Sequence, residues 1–252
     1  MNDNNVKRSD ANSFIELDDA LVDVDRKERC GFSEVIYGEG KTADSILRIA
    51  SAQLERNIDV FATRVDSQKA EYILPNLQKI CQNAYYNPVA RTLRAPTREK
   101  TDSELQFRGK VAILTAGTSD LPVAEEARET VLWTGADVVL IQDVGVAGPK
   151  RLIAKLPLFQ DADAVVVVAG MEGALPSVVG GYVSAPIVAV PTSVGYGAAF
   201  GGIAAMLGMM NSCASNVTVV NIDAGFKGGY VAGLVAKRVA DAAMRAWNRA
   251  KE

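Results

Sequence analysis

Residues 164–170 read AVVVVAG. Six apolar residues rich in valine, with no polar alternation, are too few for a helix and describe a strand covered on both faces. Outward from it the same kind of run returns: VAILTAG at 111–117, DVVLIQDVG at 137–145, PIVAVPT at 186–192 and VTVVNID at 217–223. Between these runs, 123–135, 149–159, 175–183 and 198–212 read as helices, and 228–251 reads as a closing one. Strand–helix alternation implies right-handed crossovers and a three-layer α/β fold around a parallel sheet, of the flavodoxin or Rossmann kind.

Upstream the texture changes. Residues 1–108 carry 34 of the 57 charges and 3 of the 21 glycines. This half repeats the α/β theme weakly, with strands at 34–37, 60–64 and 90–95 and helices at 43–56 and 68–80. The polar stretch TREKTDSEL at 97–105 follows Pro96 and reads as a linker. The expected organisation is a flexible N-terminus at 1–19, a small α/β domain at 20–96, a linker at 97–108 and the parallel-sheet domain at 109–252. A chain of 252 residues holds two such domains comfortably.

Composition excludes several classes. With 27 basic and 30 acidic residues the chain has no electrostatic footprint for nucleic acid or an anionic membrane. It contains no histidine, which removes every His-based triad, metal site and proton shuttle. Cys30, Cys81 and Cys213 form neither a CxxC pair nor a disulfide framework, so a reducing compartment is expected. The polar start MNDNNVKRSDANSF has no apolar signal core, which makes the cytoplasm the default. Residues 173–222 hold no charge at all, but Pro176, Pro186, Pro191 and several glycines interrupt them. No span of about 20 apolar residues survives. The stretch is therefore expected at the centre of an oligomer, with the small residues of 198–210 allowing close helix contact between subunits.

In an open parallel sheet ligands sit beyond the carboxyl ends of the strands, and the unusual motifs fall there. After the first strand, Gly117, Thr118, Ser119 and Asp120 offer a turn, two hydroxyls and backbone N–H groups for a phosphate, and a carboxylate for a ribose hydroxyl. Ser119 or Asp120 could equally cap the following helix. After the third strand come Gly170, Met171, Glu172, Gly173 and Pro176. Glu172 is the only acid between Asp163 and Asp223. A carboxylate in poorly solvated surroundings keeps its proton more readily and can then transfer it, although a helix-capping role is the plainer alternative. Thr192, Ser193, Gly195 and Tyr196 follow the fourth strand; Asn211, Ser212 and Cys213 close the next helix; Asp223 and Lys227 follow the last strand. A lone cysteine is more often a small buried hydrophobe than a nucleophile, and a helix C-terminus disfavours its thiolate. No Rossmann glycine fingerprint and no P-loop are present.

These motifs together resemble the PurE superfamily: AGTSDLP at 116–122 stands at its phosphate and ribose loop, and GMEGALPSVVGGYVSAPIVAVPT at 170–192 at its second loop. The chain is more similar to the LarB branch, which adds an N-terminal domain with the signature seen here as GFSEVIYGEGKT at 31–42 and TRVD at 63–66, and carries NSCA, here at 211–214. The resemblance spans about residues 20–250. It implies a biotin- and ATP-independent carboxylase and hydrolase that takes nicotinic acid adenine dinucleotide and CO2 or bicarbonate, releases AMP, and feeds the nickel-pincer nucleotide cofactor. It assigns the nucleophile to Cys213 and the acid/base role to Glu172, and implies a homo-octamer. Mg2+ would assist phosphoanhydride cleavage, with ligands that the residues do not single out. The purine-pathway relatives use a histidine in the loop after the second strand, where DVGVAGP at 143–149 has none. A purine carboxylase or mutase, and a nucleotide-binding protein without chemistry, are the alternatives. The charged N-terminal domain, with Arg91, Arg94 and Arg98 near the linker, is expected to cover the adenylate half of the ligand.

Overall fold

The computed structural model describes residues 13–97 and 107–251. These fall into two units, one of 13–87 with 92–97 and the other of 88–91 with 107–251. The expected flexible segment and linker lie partly outside the described residues, as does Arg98.

The first unit opens with a feature the sequence reading missed. Strands β1 (Phe14–Leu17) and β2 (Ala20–Asp23) form an antiparallel hairpin, so the boundary expected at residue 19 falls inside a paired element. A short helix α1 (Arg26–Cys30) follows, then β3 (Ile36–Tyr37), α2 (Ala43–Glu55), β4 (Val60–Thr63), α3 (Ser67–Gln78), β5 (Tyr85–Asn87) and β6 (Thr92–Ala95). The sheet order is β3-β4-β6-β5; β3 runs parallel to β4 while β6 runs antiparallel to both its neighbours. The unit is thus mixed, because a tight β5–β6 hairpin replaces the crossover that a parallel arrangement needs. Side chains of Thr42 and Asp66 cap α2 and α3 by accepting from Ser45 N and Lys69 N.

The second unit holds the expected parallel sheet. Its elements are β7 (Lys110–Thr115), α4 (Leu121–Thr134), β8 (Asp137–Ile141), α5 (Pro149–Lys155), β9 (Ala164–Ala169), α6 (Leu175–Gly180), β10 (Ile187–Pro191), α7 (Ile203–Met210), β11 (Val217–Val219) and α8 (Gly225–Arg249). The sheet order is β8-β7-β9-β10-β11, all parallel. Central β9 is fully buried: Val165 and Val167 enter a core with Leu152, Leu175 and Met209, while Val166 and Val168 enter one with Ala127, Val131 and Ala232. Helices α5, α6 and α7 therefore cover one face and α4 and α8 the other. Strand order reverses between β7 and β9, which opens the crevice where such sheets receive ligands.

Several boundaries differ from expectation: the helix expected over 175–183 ends at Gly180, the last strand ends at Val219, and three others have a visible cause. The second strand ends at Ile141 because Asp143 turns left-handed (φ 57°) and gives its N–H to Thr115 Oγ1 at 3.1 Å. The helix expected from 198 begins only at Ile203, since Phe200, Gly201 and Gly202 take positive φ. The closing helix starts three residues early, at Gly225, where the buried Glu126 accepts from Phe226 N at 3.1 Å. Its glycines serve contact: a Cβ at Gly229 would lie 2.4 Å from Ala127 O, so α4 and α8 meet backbone to side. Among the described residues no helix is long and apolar enough to cross a membrane.

Candidate active site

Five loops gather at the carboxyl ends of the parallel strands, and their hydrogen bonds tie them into one rim. Asp120, only 3% exposed, is the knot. Its two oxygens accept from Gly117 N at 2.9 Å and from Thr192 Oγ1 at 2.7 Å. Burial raises its pKa above the usual carboxylate range; the Thr192 hydroxyl and the N–H groups of Gly117 and Gly170 pull it back, and Asp223 pushes it further up. Asp120 thus joins the loop after β7 to the end of β10, across β9. Met171 N donates to Val194 O at 2.9 Å, and Ser193 N to Asp223 Oδ1 at 2.8 Å, which links the loops after β9, β10 and β11 in series.

Within this rim Thr118, Ser119, Met171, Glu172, Ser193, Gly195, Tyr196 and Lys227 are exposed, with Gly117 and Asp223 part-exposed. Gly170, Gly173, Pro176 and Thr192 are buried and shape the loops. The poorly solvated setting expected for Glu172 is absent within one chain. Uncharged neighbours in sequence did not mean burial in space: Glu172 and the Met171 before it are both exposed.

The small residues of α7 are used within the chain. A Cβ at Gly208 would lie 2.3 Å from Glu172 O, so the helix closes on the Glu172 loop within the chain. What α7 leaves outward is large and apolar: Ile203, Leu207 and Met210, preceded by Tyr196 and Phe200, are 45%, 50%, 64%, 81% and 71% exposed. Between α7 and β11 runs an open cleft of about 430 Å3, lined by Met206, Met209, Met210, Ser212, Val217, Val219, Val220 and Asn221.

Cys213 is exposed, in the turn between α7 and β11. That turn is fastened at both ends. Ser212 Oγ lies 2.7 Å from Ser177 Oγ, and Asn216 donates its amide to the carbonyls of Val183 and Ala185 while accepting from Ile187 N, the first residue of β10. Glu172 thus precedes the first turn of α6, whereas the turn carrying Cys213 is held to the middle of α6 and lies toward the amino ends of the strands. Asn211 caps α7 by donating to Leu207 O. Sequence reasoning missed Ser177; its spacing from Glu172 carries no motif. In the other unit Arg94 lies over the Tyr85 ring, while Arg91, in the 88–91 segment of the second unit, takes a left-handed turn.

Among the described residues no three side chains of the metal-ligating types come together. Asp120 has both oxygens engaged.

Comparison with known proteins follows this division. Residues 14–97 match the LarB/PurE-like N-terminal domain and residues 110–251 match AIR carboxylase. A protein of Methanocaldococcus jannaschii described as uncharacterized is 38% identical over 234 residues, spanning 92% of this chain and 90% of that one. Among solved structures, Treponema denticola PurE matches 57% of this chain and 92% of its own length at 20% identity, with a TM-score of 0.43. A PurE2 variant from the same organism gives 20% identity and a TM-score of 0.42, covering 57% and 91%. With a catalytic-type unit and an N-terminal unit both matched, the chain belongs to the AIR carboxylase family of PurE-like proteins, in the LarB branch that carries the additional N-terminal domain.

Proposed function

We propose that this protein carboxylates carbon 5 of the pyridinium ring of nicotinic acid adenine dinucleotide and hydrolyses its phosphoanhydride. The products are AMP and pyridinium-3,5-biscarboxylic acid mononucleotide, made in the cytoplasm for a nickel-pincer nucleotide cofactor. The observation that carries this reading is an exposed Cys213 in a chain of carboxylase family that has no histidine for the purine reaction.

A pyridinium ring is too electron-poor to attack CO2. Addition of the Cys213 thiolate, at carbon 4, gives a neutral dihydropyridine in which carbon 5 is the terminus of an enamine. The cationic ring favours the thiolate that adds to it. Carbon 5 then bonds to CO2, Glu172 takes the proton from that carbon, and the electron pair restores the aromatic ring as the C–S bond breaks and the thiolate leaves. Within one chain Cys213 and Glu172 lie toward opposite ends of the strands, so in this reading the pair is completed between subunits of the oligomer. Hydroxyls and N–H groups at Thr118 and Ser119 hold phosphate, and Ser193, Tyr196, Asp223 and Lys227 border the ligand. No step is drawn through a metal, biotin or ATP. Assembly as a homo-octamer belongs to the same proposal and is favoured by the outward apolar side chains of α7, Ile203, Leu207 and Met210, which stand about half exposed or more.

The test is incubation with the dinucleotide and bicarbonate, with mass analysis of the products. AMP and a mononucleotide heavier by one carboxyl group are expected. Cys213→Ser should abolish carboxylation yet leave the dinucleotide bound, and Glu172→Gln should let the thiol adduct form and then stall. Near-wild-type turnover by Cys213→Ser would refute the covalent route. Turnover of an aminoimidazole ribonucleotide instead would favour the purine reading.

A further inference from the structure

Addition of a thiolate to a ring carbon needs the sulfur on one line of approach. Cys213 is exposed, so packing of its own side chain does not hold it there and the backbone on either side sets its direction. Ser212 N donates to Met209 O at 3.1 Å, which carries the last turn of α7 up to the residue before the cysteine. Ser212 Oγ then accepts from Ala214 N at 3.2 Å and closes a hydrogen-bonded ring around Cys213. The same oxygen lies 2.7 Å from Ser177 Oγ on α6, 35 positions away in sequence.

The two contacts of Ser212 Oγ depend on one torsion. In the rotamer that reaches Ser177 the oxygen also caps Ala214; in any other it leaves both. Helix α6 supports the rest of the turn as well. A Cβ at Gly180 would lie 2.6 Å from Ala214 Cβ and 2.9 Å from Asn216 Oδ1, so the helix passes close to the turn where it carries no side chain. Asn216, donating to Val183 O and Ala185 O, fixes the way out into β11.

We infer that Ser177 is a positioning residue for the nucleophile: its hydroxyl holds Ser212 in the rotamer that caps Ala214, and the capped turn aims Cys213. This rests on the function proposed above. Ser177 acts through Ser212 and has no part in the bonds that form and break. A hydroxyl suits a half-buried position of this kind because it can donate and accept at once.

Steady-state carboxylation and amide exchange of the full chain test this together. Ser177→Ala should lower kcat by about tenfold or more, since a small misplacement of a reacting atom costs that much. KM should stay unchanged and kcat/KM fall with kcat, as for a contact needed only while the ring is attacked. Exchange at Ala214 N, read on fragments that span 211–216, should quicken in the free variant. Ser177→Thr keeps the hydroxyl and should restore both readouts. Ser212→Ala should match or exceed Ser177→Ala, and the double variant should be no worse than Ser212→Ala alone. Both serines are half-buried, so thermal melts should show the variants folded. Unchanged kcat in Ser177→Ala would overturn the inference, whatever the exchange shows. A raised KM with unchanged exchange would also overturn it, by making Ser177 a ligand contact. If the wild type makes no product from the dinucleotide, the proposed function falls. Quickened Ala214 exchange with an altered rate of Cys213 alkylation by iodoacetamide would then keep the positioning role, and equal alkylation rates would remove it.

Discussion

Burial raises the pKa of Asp120, and the Thr192 hydroxyl is the first of three donors, with the N–H groups of Gly117 and Gly170, that pull it back. Because burial raises Asp120 above its usual value of 3.8, the folded chain keeps that proton after the unfolded chain has released it. The stability tied to this group is complete below about pH 3.8 and is lost as the pH rises through the raised value. Thr192→Val removes a donor to the carboxylate at unchanged volume and raises it further. We expect a loss of about 1.5–3 kcal/mol near pH 7, from a hydrogen bond to a charged group, and a smaller loss near pH 4. Urea unfolding at the two pH values reads the difference; equal losses would mean that Thr192 serves only packing. The sequence showed Asp120 as a loop residue after a strand, but its partner lies 72 positions away and carries no pattern of its own. Glu172 shows the reverse limit: a sequence neighbourhood without charge reports composition, whereas exposure depends on which chain segments return to cover it.

At the scale of elements, the pairing of α4 with α8 is the tightest constraint. Gly229→Ala places a methyl against Ala127 O and Thr130 Cβ, and should cost about 1–3 kcal/mol as overpacking. A thermal melt should fall by several degrees; an unchanged or raised midpoint would show that the helices can separate cheaply. Glu126→Ala should also destabilise, by about 1–3 kcal/mol, since Phe226 N then loses a buried acceptor, whereas Glu126→Gln keeps an acceptor oxygen and should lose less. Apolar runs and helical stretches were legible because their periods are local. The break at Phe200–Gly202 was read through because small and apolar residues flank it on both sides, although Gly201 and Gly202 supply the positive φ and a Cβ at Gly202 would lie 2.7 Å from Thr192 O. The early start at Gly225 was hidden for a related reason: glycine argues against a helix unless a neighbour needs the space.

At the scale of the whole molecule, the apolar stripe through Ile203, Leu207 and Met210 predicts self-association. Light scattering should give a multiple of the 26.8 kDa chain mass, and Leu207→Glu should lower it. A stable species of one chain mass at micromolar concentration would end this proposal. The alternating order of strands and helices was readable as a parallel sheet because buried strands lose polar alternation. The β1–β2 hairpin was not, since two four-residue strands with charged members look like surface coil until they pair.

The uninterrupted burial of β9, with its six residues at 0–1% exposure between β7 and β10, has a consequence for amide hydrogen exchange. Its N–H groups can exchange only when the unit opens as a whole, so they should set the slowest rate in the protein. The exposed rim residues 118–119 and 195–198 lie outside that ladder and should exchange earlier. A ligand seated on the rim would then write its footprint as new protection on loops that start less protected, while β9 supplies the unchanging clock against which it is read.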